Sequence, residues 1–340
     1  MSSLQSDMQD YKDLLSKYLE TKDEAILYQA EQFSKQSIQQ NISPDEIVNV
    51  HYQALKEIYP DLHEQIEGSF KFLIETMISY GLAYQEHQVL REKQIELKSE
   101  IGVAANMQNT LLKTSVPKTH AIDIGVKSVP AKEMNGDYHH FIKDEQGNVG
   151  VAVADVIGKG IPAAFCMSMI KFAMESFSEN QIYPQWILDS LNRVVSRNVE
   201  QGMFVTMFYG LYDVYTHQFY YASAGHEPCF ILRNETKEFE EIDAKGLLLG
   251  VESAVKYEQL NTSIHEGDLI VLLTDGVTEC RVDGRFIEQE EVLNIIKEHE
   301  HLNSQEIVEH VFKYFERLQD FQLRDDFTLV VMKRNSSLSV

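Results

Sequence analysis

Two hydrophobic periodicities divide the 340-residue chain. Up to about residue 112, apolar residues recur every three to four positions, the mark of amphipathic helices. From residue 122 onward they alternate with polar residues or run unbroken over short stretches, the mark of strands. Gly and Pro sharpen the division. Gly68, Gly81, Gly102, Pro44 and Pro60 are the only ones before residue 115, against 14 glycines and five prolines after it. Such residues punctuate turns, so the first third reads as long helices and the rest as short strands and loops.

The helical third has visible joints. A first helix is predicted over about residues 6–19. A second spans 22–39, with Ile26, Leu27, Ala30, Phe33 and Ile38 on one side. Ser43-Pro44-Asp45-Glu46 is a helix start: Ser as cap, Pro at the first helical position, acids in the first turn. That third helix carries Ile47, Val50, Leu55 and Ile58 and stops at Pro60. A fourth begins near Leu62 with Ile66, Phe70, Leu73, Ile74, Met77, Ile78 and Tyr80. Four amphipathic helices with short connections predict an all-α four-helix bundle over residues 1–85.

No breaker ends the fourth helix. Over residues 86–114 a seam recurs at Leu90, Gln94, Leu97, Ile101, Ala104, Gln108 and Leu111, a heptad weakened by two Gln and one Ala. This linker reads either as a weak coiled coil, whose Gln positions serve as a switch, or as a helix on the next domain with Gln facing water. On the first reading, Leu at Gln94 and Gln108 should raise basal activity. Residues 115–335 form the remaining domain. Strands are expected at 122–129, 138–142, 149–154, 203–212, 218–223, 229–233, 268–274 and 327–332, and helices at 162–177, 184–198, 289–299 and 304–318. Strands dominate and helices come in pairs, which predicts an α+β β-sandwich flanked by helices.

Charge and cysteine content narrow the function classes. Thirty Lys and Arg stand against 53 Asp and Glu, a formal net charge of -23. A surface this acidic repels phosphate backbones, and no Lys/Arg run offsets it, so no nucleic acid is expected as partner. No apolar run reaches the ~20 residues of a membrane helix, and the polar, acidic start predicts no secretory leader. Cys166, Cys229 and Cys280 are isolated, which predicts a reducing, cytoplasmic setting without disulfides or thiolate metal sites.

Five segments of the second domain place acidic or small residues at predicted strand ends: Asn135-Gly136-Asp137-Tyr138, Asp155-Val156-Ile157-Gly158-Lys159-Gly160, Ser223-Ala224-Gly225-His226, Thr274-Asp275-Gly276-Val277-Thr278-Glu279 and Arg324-Asp325-Asp326-Phe327-Thr328. Asp155 ends one buried run and Asp275 another. Asp137 and the Asp325-Asp326 pair precede strands. A carboxylate at the mouth of a buried strand is costly unless paired or bound to metal. Four such sites suit hard divalent cations, and the adjoining glycines let main-chain carbonyls join the shell. Two cations held ~3.5–4 Å apart activate a water and clamp a phosphoryl group for in-line attack.

In this order the five segments resemble the PPM (protein phosphatase 2C-like) superfamily, in its bacterial SpoIIE/RsbU branch of metal-dependent serine phosphatases. The entry segment from Ala104 to Leu112 is similar to that branch's leading helix. Ser43 to Val48, Gly81 to Gln88 and the lack of an inserted sensor module extend the likeness into the first third. The resemblance implies a PPM phosphatase β-sandwich and two Mn²⁺ or Mg²⁺ ions. It implies that Asp155 bridges both ions with help from the Val156 carbonyl. Asp137 would serve the second ion and Asp275 and Asp325 the first, with Asp326 the second choice to Asp325. It further implies a phosphorylated STAS-domain anti-sigma-factor antagonist as substrate. The N-terminal domain would form a homodimer and bind a kinase-like activator, making the chain a positive regulator of the sigma-B general stress response. Two departures stand out: Asn135 replaces a common Gly or Ser, and no clear match exists for the phosphate-binding Arg of eukaryotic members.

The remaining singular residues have plainer readings. His226 is a structural loop residue or a catalytic one. His139 and His140 sit on opposite faces of a strand. Lys159 is a phosphate contact or a solvated loop charge. Tyr80 and Tyr84 are core or partner surface. The alternative function is a PPM-like domain serving as a non-enzymatic binding module, or as the phosphatase of another partner-switching pathway. Retention of every aspartate favours the enzyme.

Overall fold

The computed structural model describes residues 2–336 apart from 41, 159, 178–181, 200–201, 279–280, 283–284, 288, 319–322 and 324. Lys159 and Cys280 therefore lie outside the described residues. The chain divides into two compact units, Met1–Ser99 and Glu100–Val340.

The first unit is helical: α1 (Ser2–Thr21), α2 (Glu24–Gln39), α3 (Pro44–Ile58) and the beginning of α4 (Glu64–Leu111). The starts follow the capping signals. The Ala25 N–H donates to Asp23 Oδ1 at 3.0 Å ahead of α2. Pro44 opens α3, and the Ser43 N–H donates to Glu46 Oε2 at 3.3 Å, satisfying a backbone donor that the helix itself leaves over. Tyr11 packs on Phe33 with ring centroids 5.1 Å apart, and Tyr52 on Phe70 at 5.5 Å. These contacts bury one face of each helix. Leu27, Tyr28, Phe72 and Leu82 stay exposed, Phe72 at 76%. Tyr80 and Tyr84 are exposed and stack on each other at 6.4 Å, so the core reading of these two rings does not hold.

The second unit takes in the end of α4 and then β1 (Ile122–Val129), β2 (Asp137–Lys143), β3 (Val149–Ile157), α5 (Ile161–Ser176), α6 (Pro184–Asn198), β4 (Phe204–Tyr212), β5 (Gln218–Ala224), β6 (Cys229–Leu232), β7 (Phe239–Ile242), β8 (Leu260–Ser263), β9 (Leu269–Leu273), α7 (Asp275–Thr278), β10 (Arg281–Val282), β11 (Arg285–Phe286), α8 (Gln289–Glu298), α9 (Ser304–Leu318) and β12 (Phe327–Arg334). Two five-stranded antiparallel sheets result, ordered β1-β12-β9-β6-β7 and β2-β3-β4-β5-β8, with β10 and β11 pairing separately.

Side-chain alternation builds four layers. Val151 and Val153 of β3 meet Ile270 and Leu272 of β9 and Val330 of β12 between the sheets. Ala152 and Ala154 point the other way, onto Met167 and Ile170 of α5 and Leu188 and Leu191 of α6. Leu269, Val271 and Leu273 likewise cover Val292 and Ile296 of α8 and Val308 and Phe315 of α9. Both faces of β3 up to Ala154 and of β9 are buried, which is why these stretches run apolar without a polar alternate.

The end of α4 and the placing of two aspartates depart from expectation. Leu90, Gln94 and Leu97 are exposed, whereas Ile101 and Ala104 are half-buried and Gln108 is buried in the second unit. Gln108 therefore does not face water. Asp275 also differs: it opens the short helix α7 rather than a loop, and Asp155 lies within β3, which continues two residues beyond it.

Candidate active site

The alternation that buries Val151 and Val153 places Asp155 next on the same face, at the mouth of the inter-sheet layer. Asp137 is its direct partner across the β2–β3 ladder. From the facing sheet, Thr274 follows β9 and Thr328 lies in β12, and both are buried. The Thr274 hydroxyl donates to Asp137 Oδ2 at 2.7 Å, and the Thr328 N–H donates to Thr274 Oγ1 at 3.1 Å. The apolar layer thus ends in a polar rung, and the acidic residues stand on it.

A cavity of about 570 Å³ opens above this rung. Asp155, Asp275, Asp325 and Asp326 all line it, together with Val156, Gly158, Gly160 and residues 131–136. The five segments singled out in the sequence contribute unequally. Four of them supply wall or floor. The fourth aspartate site, Asp137, lies beneath the cavity, 2% exposed and held by Thr274.

Two backbone contacts bring the acidic loops together. The Gly136 N–H donates to Asp326 Oδ2 at 2.5 Å, and the Ala131 N–H to Asp326 Oδ1 at 2.7 Å. Both Asp326 oxygens therefore clamp the 131–136 loop. The Asp326 N–H in turn donates to Asp325 Oδ1 at 3.0 Å. Gly276 is packed against the same turn: a Cβ there would sit 1.9 Å from the Asp326 carbonyl oxygen, so no other residue fits without moving it.

The electrostatics are those of like charges sharing a space. Burial, followed by the charges of Asp275, Asp325 and Asp326, pushes the Asp155 carboxyl up to about 7. Burial likewise drives Asp137 well above the usual carboxylate range, against the two threonine hydrogen bonds that lower it. A divalent cation entering the cavity reverses this penalty. Among the described residues no three acidic side chains yet converge tightly enough to hold an ion by themselves, so water would complete its shell. A Cβ on Gly136 would lie 3.2 Å from Asp326 Oδ2 and 3.4 Å from Asp155 Oδ1, which makes the glycine part of that cradle. The all-oxygen donor set fits Mg²⁺ or Mn²⁺ better than Zn²⁺.

The other candidates fall elsewhere. His226 lies off the cavity, its Nδ1 2.9 Å from Thr206 Oγ1, and burial lowers it to about 4. His140 is buried and also lowered to about 4, and neither it nor His139 lines the cavity. Cys166 and Cys229 are buried, and burial raises both thiols. Lys132 was not anticipated from the sequence; Thr274 and Thr328 lie in the segments singled out there but without a role, and Gln108 was read only as a seam position. Lys132 is the most telling, an exposed cation on the wall of an acidic cavity. Its place five residues before Asp137, in an acidic motif, was the available signal.

Comparison with known proteins agrees with this architecture. Residues 145–335 match the family model of Stage II sporulation protein E (SpoIIE), and residues 9–83 match the N-terminal domain of phosphoserine phosphatase RsbU. The chain is 52% identical over 326 residues to phosphoserine phosphatase RsbU of Bacillus subtilis, covering 96% of this chain and 97% of that one. Among solved structures, the SiaA-PP2C domain of Pseudomonas aeruginosa superposes with a TM-score of 0.58 at 16% identity, over 72% of this chain and 98% of the other. The RsbU and RsbW domains of Rv1364c from Mycobacterium tuberculosis give 0.55 at 23% identity, over 65% and 64%. These two share the fold. The likeness along nearly the whole chain carries more: this chain belongs to the SpoIIE family of phosphatases, in its RsbU-like branch.

Proposed function

We propose that the chain is a metal-dependent protein phosphoserine phosphatase whose substrate is the phosphorylated form of a STAS-fold anti-sigma-factor antagonist. Hydrolysis would take place in the acidic cavity. The observation that carries this reading is the convergence of Asp155, Asp275 and Asp325 on that one cavity, in a chain with the family likeness described above.

Asp155 and the Val156 carbonyl would hold both cations, Asp275 and Asp325 the first, and Asp137 the second. Both oxygens of Asp326 accept backbone N–H groups of the 131–136 loop, so Asp326 is read as the clamp, and the family resemblance makes Asp325 the ligand. When bound, two divalent cations supply an acidified water and offset the phosphoryl charge. The protein's own share is positional. Gly276 and the Asp326 clamp fix the loop that carries Asp325. The polar rung of Asp137, Thr274 and Thr328 sets the floor. Lys132, which also lines the cavity, would meet substrate phosphate, the role for which the sequence offered no arginine.

The first unit is read as the site of dimerisation and of a kinase-like activator, supported by its match to the RsbU N-terminal domain and by the exposed Phe72, Leu82 and Leu90. A cytoplasmic setting follows from the same reading, and no described helix is long and apolar enough to cross a membrane. The test is phosphate release from the phosphoserine STAS protein in Mn²⁺, with and without the activator. Slow release that accelerates strongly with activator is expected. Absence of release in both conditions would refute the assignment.

A further inference from the structure

The last turns of α4 bury an amide that the hydrolytic scheme leaves unused. Gln108 is 3% exposed, while Met107 beside it is 62% exposed. Gln108 Nε2 donates to the Asn135 carbonyl at 2.7 Å, and the Asn135 N–H donates to Gln108 Oε1 at 3.0 Å. A side chain here does what a neighbouring strand does: it takes both backbone groups of one residue, and so fixes that residue in position and in rotation.

Asn135 passes the constraint on in two directions. Its Oδ1 accepts the Asp137 N–H at 3.0 Å, and its Nδ2 donates to Ser128 Oγ at 3.3 Å. Ser128 Oγ lies 2.9 Å from Thr328 Oγ1, which closes a ring through Thr274 back to Asp137. Gly136, the next residue, donates to Asp326, and its carbonyl accepts the Val156 N–H at 3.3 Å. The amide of Gln108 is therefore one residue from the cradle glycine and bonded to the segment that begins β2. Ile101, about two turns earlier on the same face of α4, lines the cavity itself.

We infer that Gln108 is a positioning residue for the metal centre: by gripping Asn135 it sets Gly136 and Asp137 at the spacing from Asp155 that cation binding requires. The inference rests on the two-cation reading above. A residue that merely anchored α4 would alter stability and leave cation affinity untouched, whereas partners of ligand-bearing groups cost about 10–100-fold in affinity when removed.

The test uses the full chain and Mn²⁺ as the probe. Gln108→Met keeps the length and removes both bonds; Gln108→Glu still accepts the Asn135 N–H but offers its carbonyl no donor. Mn²⁺ affinity is measured by calorimetry, metal-free melting is recorded alongside, and the Mn²⁺ dependence of p-nitrophenyl phosphate hydrolysis is followed. Gln108→Met should weaken Mn²⁺ binding about tenfold or more, with most of the rate recovered at saturating Mn²⁺, and Gln108→Glu should fall between it and the parent. A folded Gln108→Met with parental Mn²⁺ affinity overturns the inference; if that variant does not fold, parental affinity in Gln108→Glu does so. Asp155→Asn in the same assay separates the two readings, because undiminished Mn²⁺ binding there refutes the cation site itself, whatever Gln108 does.

Discussion

Asp137 and Asp155 are partners on the first rung of the β2–β3 ladder, yet Asp155 lines the cavity while Asp137 is sealed beneath it by the Thr274 hydroxyl. Two carboxylates on one strand pair thus do different work. Asp155 faces the cavity. Asp137 joins the two sheets through the Thr274 hydroxyl. Thr274→Val should therefore act on both levels. It removes the donor to Asp137 and the acceptor of the Thr328 N–H, costing about 1–3 kcal/mol of stability. Denaturant melts should show that loss together with a weaker Mn²⁺ dependence. A Thr274→Val variant of unchanged stability would mean the rung is not a structural joint.

Gly276→Ala tests the clamp. The added methyl meets the Asp326 carbonyl oxygen at 1.9 Å, so the turn carrying Asp325 and Asp326 must shift. Overpacking of this kind costs about 1–3 kcal/mol. The expected result is a folded protein with a large loss of phosphatase rate, read by phosphate release in saturating Mn²⁺. Full activity would show that the turn adapts and that its geometry is not required.

Lys132→Met should raise KM more than it lowers kcat. The lysine lines the cavity without being a ligand, and a charged hydrogen bond to phosphate is worth about 1.5–3 kcal/mol, roughly tenfold or more in KM. Steady-state kinetics on the phosphoserine substrate checks this. An unchanged KM would return phosphate recognition to the cations alone.

Acid should destabilise the fold through buried histidines. His140 and His226 are held near 4 by burial, against about 6.5 for an unfolded chain. Between pH 6.5 and 4 the unfolded state binds more protons, so stability falls as pH falls through that window. Each group contributes up to about 1.4 kcal/mol per unit of depression. Because neighbouring carboxylates also titrate, the informative quantity is a difference. Denaturation curves of His226→Gln should fall less steeply from pH 6.5 to 4 than those of the parent. Parallel slopes would contradict the neutral, buried state of His226.

Much of this architecture was legible in the sequence where local chemistry is strong. Pro184 opens α6 and Asn198 ends it as read, and β1 keeps its predicted bounds because β-branched residues alternate there. Four strands escaped notice: β10 and β11, of two residues each, and β7 and β8, edge strands of four residues with mostly polar or exposed side chains, all too short or too polar to carry the apolar signature of the centre. The acidic loops were found because carboxylates beside buried runs are costly. Which of Asp325 and Asp326 clamps the backbone was not readable, since adjacent identical residues differ only in what they meet. The water-facing reading of Gln108 failed for a related reason. Its partner is a main-chain group 27 residues away, and helical periodicity carries no record of such a bond. In consequence, Leu at Gln108 is now expected to lower activity, not raise it, while Gln94 remains exposed and open to the original test.

The central claim is that acidic ligands around Asp155 support cation-dependent hydrolysis of phosphoserine. The most direct measurement is phosphate release from the phosphoserine STAS protein by the parent and by Asp155→Asn, each in Mn²⁺ and in excess chelator, with the activator present. The account predicts release by the parent in Mn²⁺, none in chelator, and a loss of more than about 100-fold in Asp155→Asn at unchanged fold. Release that survives chelation, or an Asp155→Asn variant as active as the parent, would contradict it.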